Sequence, residues 1–91
     1  MLVLPAHLTH GEAGPCVRML AQALRSDPSA QAVADASALR QFDSSALAVL
    51  LECRREAMAL GKSFAVTQLH PRLRALATLY GVSELLPEAG V

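Results

Sequence analysis

The chain predicts an α/β domain, and three observations predict it. Apolar residues recur at helical spacing in three segments, short extended segments alternate with them, and helix start and stop residues stand at the joints. Ninety-one residues suffice for one small core, so residues 1–91 are expected to form a single domain. With 53% hydrophobic residues, 18% charged residues and a formal net charge of zero, the chain is too apolar and too weakly charged to be disordered. A neutral surface offers nucleic acid no overall attraction, and Phe42, Phe64 and Tyr80 make a poor stacking platform for bases.

Leu2-Val3-Leu4 opens an extended apolar stretch that Pro5 interrupts and Ala6 to Leu8 continues, which suits an edge strand or a bulge because proline cannot donate to a ladder. Thr9-His10-Gly11-Glu12 has the form of a capping box, and Gly14-Pro15 offers a second start a little later. The helix that follows runs to about Arg25 on an apolar face of Val17, Leu20, Ala21 and Leu24, and Asp27-Pro28 ends it. Residues 31–36 are a weak strand candidate, since alanine has low β propensity and only Val33 is branched.

From Ser44 to about Leu60 the helical signal is strong. Ala46, Val49, Leu50, Cys53, Ala57 and Leu60 share one stripe, and Gly61 stands where a left-handed cap belongs. Residues 64–69 predict a buried strand, and His70-Pro71 starts a third helix with Leu73, Leu76, Ala77 and Tyr80 inward and Gly81 at its end. Val82 to Leu86 should pack back onto the domain before Pro87 and a frayed tail. This order implies a parallel pair, residues 31–36 and 64–69, joined by a right-handed crossover through the long helix, with helices mainly on one face of the sheet.

The long helix also carries Leu47, Leu51, Arg54 and Met58 as a second stripe, so its apolar arc is wider than one packing face requires. Either the first helix covers that stripe, or it is a partner-binding surface with Ser44 and Arg55 along its border. Ser44 has two readings as well. It caps the helix, a job Asp43 could do instead with Ser44 at the next position, or it is a phosphoacceptor or partner contact whose added charge the helix dipole tolerates and neighbouring Asp43 opposes.

No catalytic constellation is legible. Asp43 is too close in sequence to orient a base for Ser44, there is no G-x-S-x-G elbow, and His7, His10 and His70 are scattered as surface or capping residues. The five glycines form neither a P-loop nor a dinucleotide fingerprint, so no cofactor is expected. Cys16 and Cys53, with no C-x-x-C, are expected to be buried free thiols, and no metal site is expected. Neither a signal peptide nor an apolar run of about 20 residues is present, which predicts a cytoplasmic domain without membrane insertion.

The tract from Val33 to Leu47, with Gln41-Phe42-Asp43-Ser44-Ser45-Ala46-Leu47 at its end, resembles the strand, loop and helix start of STAS domains. The similarity covers nearly the whole chain. It implies a STAS-type fold, with a small mixed sheet of about four strands, and places the family's phosphorylation or partner-contact position at Ser44. The tract Leu76 to Pro87, together with Leu47 to Leu51, is similar to MlaB-like STAS subunits of phospholipid ABC transporters. That likeness implies a non-enzymatic adaptor, peripheral to the inner membrane, that binds the transporter's cytoplasmic ATPase subunit and supports lipid asymmetry. Its docking residues would be Asp43, Ser44, Ser45, Leu47, Leu51 and Arg55. Asp43-Ser44-Ser45 is closer to the wording of anti-sigma factor antagonists, which implies the alternative of an anti-sigma kinase as partner and phosphorylation of Ser44 as its control. A STAS module that binds a nucleotide directly is a third option. Two departures stand out: Ala46 replaces the usual glycine, and Leu4-Pro5-Ala6-His7-Leu8 replaces Leu-x-Gly-x-Leu, which predicts a stunted first strand.

Overall fold

The computed structural model describes residues 2–89. Its elements, in order, are β1 (Leu2–Val3), β2 (His7–Leu8), α1 (His10–Ser26), β3 (Gln31–Asp35), β4 (Gln41–Phe42), α2 (Ser45–Ala59), β5 (Ser63–Thr67) and α3 (Pro71–Leu79), followed by a 3-10 turn at Ser83–Leu85. Pro5 decides how the first stretch is used. The Leu4 N–H still donates to the Asp35 carbonyl at 3.0 Å, but Pro5 has no donor, and beyond it the Ala6 carbonyl accepts from Arg40 and Gln41 instead. The expected strand is thus cut into β1, which pairs with β3, and β2, which pairs with β4.

The α/β class stands, while the sheet differs in detail from the single mixed sheet of about four strands. There are two small sheets, one ordered β1-β3-β5 and one of β2 and β4, and every pairing between these strands is parallel. Each pair of neighbours is connected through a chain segment that contains a helix, which leaves no hairpin to make an antiparallel pair. The parallel pair expected around the long helix is β3 with β5, in register from Gln31↔Ser63 to Asp35↔Thr67.

The weak strand candidate is the central strand. Pairing on both sides overrides the low propensity of Ala32 and Ala34, and their small side chains let helices approach the sheet closely. Ala32, Ala34, Phe64, Val66 and Leu2 share one buried face, whereas on the other Val3 is 57% exposed and Val33, Asp35 and Thr67 are half-buried, with Ala65 alone of these strand residues buried there. Helix cover on mainly one face follows from that contrast. The buried apolar side chains form one cluster that joins this face to α1 through Leu20 and Leu24 and to α2 through Val49, Leu50 and Cys53.

Helix ends follow the residue chemistry. The Glu12 carboxylate accepts from the Thr9 N–H at 2.9 Å and the Thr9 hydroxyl at 2.7 Å, so α1 begins at the capping box, and Pro15 lies inside it rather than at its start. Gly61 takes φ 74°, and behind it the Lys62 N–H reaches the Ala57 carbonyl at 2.8 Å in a Schellman closure; Gly81 and Val82 repeat this at the end of α3. A Cβ on Gly61 would meet nothing within 4 Å, so Gly61→Ala should cost only conformational energy. We expect a loss of about 1 kcal/mol in urea unfolding; an unchanged midpoint would mean the left-handed turn is not held in solution.

Val82 to Leu86 packs back as expected, with Leu86 fully buried, and the Arg74 guanidinium ties Ser83 and Glu88 together. The tail after Pro87 departs from the expected fraying as far as Ala89. The Pro87 carbonyl accepts from the Val66 N–H at 2.8 Å and the Ala89 N–H donates to Val66 at 2.7 Å, which covers the open edge of β5. Residues 90 and 91 of the expected frayed tail lie outside the described residues.

Candidate functional site

Phe42 ends β4, and from it the chain passes through Asp43 and Ser44 into α2. Around this joint three helix N-termini meet. The Asp43 carboxylate accepts from the Ser45 N–H through Oδ1 at 2.8 Å and from the His10 N–H through Oδ2 at 3.2 Å, so one side chain satisfies orphan donors of both α2 and α1. The Phe42 ring meets His70 edge-on with centroids 5.3 Å apart, and the His70 Nδ1 accepts from the Arg72 N–H at 3.0 Å to cap α3. The bond from the Ser45 amide, above all, holds the Asp43 carboxyl below its usual range, with His10 adding to the effect.

With Asp43 capping, Ser44 is released. Its backbone is already helical and its hydroxyl makes no capping bond, although it stands at the cap position. Ser44 is exposed and Ser45 half-buried. The joint therefore presents an uncommitted hydroxyl beside a fixed negative charge and the positive end of α2.

The remaining expected docking residues separate along α2. Leu47 is 3% exposed and belongs to the core cluster, so it offers no docking surface; α1 packs along α2, and this end of the second stripe is covered. Leu51 is half-buried against the core, Arg54 half-buried, and Met58 exposed, so the stripe opens only toward its C-terminal end. Arg55 is exposed and pairs with Glu52 at 2.8 Å, a surface pair of small energetic value. It lies on the same helix face as Ser44, about 16 Å away along the axis. Ala46 points into the core, so the Cβ that replaces glycine there fills the interior and does not obstruct the surface.

A surface that sequence reasoning did not find adjoins this joint. Phe42, Arg72, Ala75, Leu76 and Leu79 line an open groove of about 370 Å³. The Arg72 guanidinium lies over the Phe42 ring, 5.2 Å from its centroid. Leu79 is 75% exposed, and Tyr80, expected inward, is 57% exposed at the C-cap of α3; the inward positions of α3 are Leu73 and Ala77, with Leu76 half-buried. The signal was the spacing 72, 75, 76, 79, which is itself a helical stripe.

The two cysteines lie away from this surface, in the interior. Cys16 and Cys53 are free and buried, and burial pushes the Cys53 thiol up to about 12 and the Cys16 thiol upward as well, which makes both poor nucleophiles. Among the described residues no group of three or more His, Cys, Asp or Glu is placed to hold a metal ion, and no helix is long and apolar enough to cross a membrane.

In a comparison with protein families, the model of the Mlab STAS domain matches residues 1–87. No curated protein matches the chain.

Proposed function

The chain belongs to the MlaB-type STAS domain family, and from that premise we propose that it is an adaptor subunit, not an enzyme, that docks on the cytoplasmic ATPase of a phospholipid ABC transporter. Membership itself supports a regulatory or adaptor role. The observation that carries the proposal is the Ser44 hydroxyl, exposed at the start of α2 and freed from capping because Asp43 does that work. Asp43, Ser44 and Ser45 form the polar centre of the docking surface, and Arg55 and the exposed edge of Leu51 extend it along α2. ATP belongs to the partner, and attachment to the inner membrane is through that partner.

Ser44→Glu places a second carboxylate beside Asp43 and should weaken binding to the purified ATPase subunit by more than about 1 kcal/mol, or roughly fivefold. Ser44→Ala keeps the fold and should bind more tightly than Ser44→Glu in the same calorimetric titration. Equal affinity for the wild type and Ser44→Glu would remove Ser44 from the interface. Leu51→Asp should weaken the complex too, but Leu51 packs on the core, so its effect must be read against its melting curve.

The same exposed hydroxyl favours a second reading, an anti-sigma factor antagonist whose kinase phosphorylates Ser44. Incubation with such a kinase and ATP, followed by mass spectrometry, separates the two readings. Phosphate on Ser44 belongs to the antagonist, and an unmodified chain that co-purifies with an ABC ATPase belongs to the adaptor.

A further inference from the structure

Resting on the adaptor reading, we propose that the groove between Phe42 and α3 receives an amphipathic helix of the ATPase subunit, whose apolar side chains fill the groove and whose carboxylate pairs with Arg72. The groove walls are Phe42, Ala75, Leu76 and Leu79, and Arg72 is the one charged group that lines them. No carboxylate among the described residues pairs with Arg72, whose guanidinium carbon instead lies 5.2 Å from the centroid of the Phe42 ring. An occupant that is apolar but carries an acid complements both features.

Other occupants fit less well. A small-molecule site needs several convergent polar groups to fix orientation, and this groove has one. A second copy docking face to face would bring two copies of Arg72 into one interface whose groove residues include no acid to pair either of them. A helix suits the shape, because the stripe of residues 72, 75, 76 and 79 presents a ridge two turns long against which another helix can pack. Phe42 is also the residue that leads into Asp43 and Ser44, so the groove continues the docking surface at the α2 start.

Arg72 and Leu79 are both exposed, so substituting them should leave the fold intact. Arg72 sits in the first turn of α3, where an acidic residue is favoured by the helix dipole, so Arg72→Glu should not unfold the helix. The test is calorimetric titration of the purified full chain with the purified ATPase subunit at low and high salt, with melting curves for each variant. Arg72→Glu and Leu79→Asp should each weaken binding by about tenfold or more, Arg72→Lys should stay within about threefold of wild type, and Arg72→Met should flatten the salt dependence.

If the wild-type chain binds and Arg72→Glu binds equally well, the groove is not the helix site, while the adaptor reading stands. Undiminished salt dependence in Arg72→Met would overturn the carboxylate pairing, and self-association lost in Leu79→Asp would assign the groove to a second copy. Failure of the wild-type chain to bind the ATPase subunit at all would end both the adaptor reading and this inference, and would be distinguishable from the other results.

Discussion

Leu47→Asp is expected to abolish the folded state. Leu47 is 3% exposed and lies in the core cluster near the N-terminal end of α2. Truncating a buried leucine costs about 2–5 kcal/mol, and an aspartate there must also be desolvated, adding several kcal/mol more or forcing the acid to take up a proton. A domain of this size has a total stability of about 5–15 kcal/mol, so the sum is comparable with the whole. Far-ultraviolet circular dichroism and urea titration should show no cooperative unfolding transition for this variant at neutral pH. Ser44→Glu, three residues earlier and exposed, should fold as the wild type does. A cooperative Leu47→Asp with an unchanged midpoint would mean that the second stripe of α2 faces solvent, and the docking surface would have to be redrawn to include it.

The second large effect concerns Asp43. Asp43→Ala leaves the amides of His10 and Ser45 without their acceptor, and so loosens the starts of α1 and α2 together. Asp43→Asn keeps one acceptor oxygen, enough for one of the two amides, but loses the other acceptor and the charge, and should fall between the alanine variant and the wild type in thermal melting. The effect has a pH signature with a definite sign. The Ser45 amide holds the Asp43 carboxyl low in the folded state, the Thr9 hydroxyl does the same for Glu12, and the Ser37 amide does it for Asp35.

A carboxyl whose folded value is depressed contributes stability that is fully present above its unfolded value, near 4, and is lost as pH falls through the folded value. The wild type should therefore lose stability on acidification below about pH 4. The gap between it and Asp43→Ala, read from urea midpoints, should narrow over the same range. A gap that stayed constant into strong acid would show that the Asp43 bonds do not depend on its charge.

Much of this architecture was legible because its signals are local. The capping box at Thr9 and Glu12, the left-handed positions Gly61 and Gly81, the proline after His70 and the periodic faces of α1 and α2 each depend on residues within a turn or two of one another. The loop Asp43-Ser44-Ser45 was legible for the same reason, down to the option that Asp43 caps in place of Ser44, whereas the hydroxyl's lack of a capping bond is a finding of the structure. Pro5 marked an interruption, and the stunted first strand is there as two-residue β1.

The sheet and the surface were less legible because partners distant in the chain decide them. Gln41 and Phe42 carry no strand pattern of their own and become β4 only because His7 and Leu8 lie beside them. Tyr80 satisfies helical spacing as a core residue beside Leu73 and Ala77, yet it stands at the C-cap of α3, past the last turn that the core covers, and is exposed.

The amino-acid sequence by itself determined the α/β class, the three helices with their ends, and a serine at the start of the second, since spacing and capping are properties of neighbouring residues. Tertiary structure alone decided that Leu47 is core, that one Asp43 carboxylate joins two helices, and that Phe42 and α3 enclose an apolar groove. Burial is a relation between elements: periodicity shows which side chains share a face, and only packing determines which face is covered.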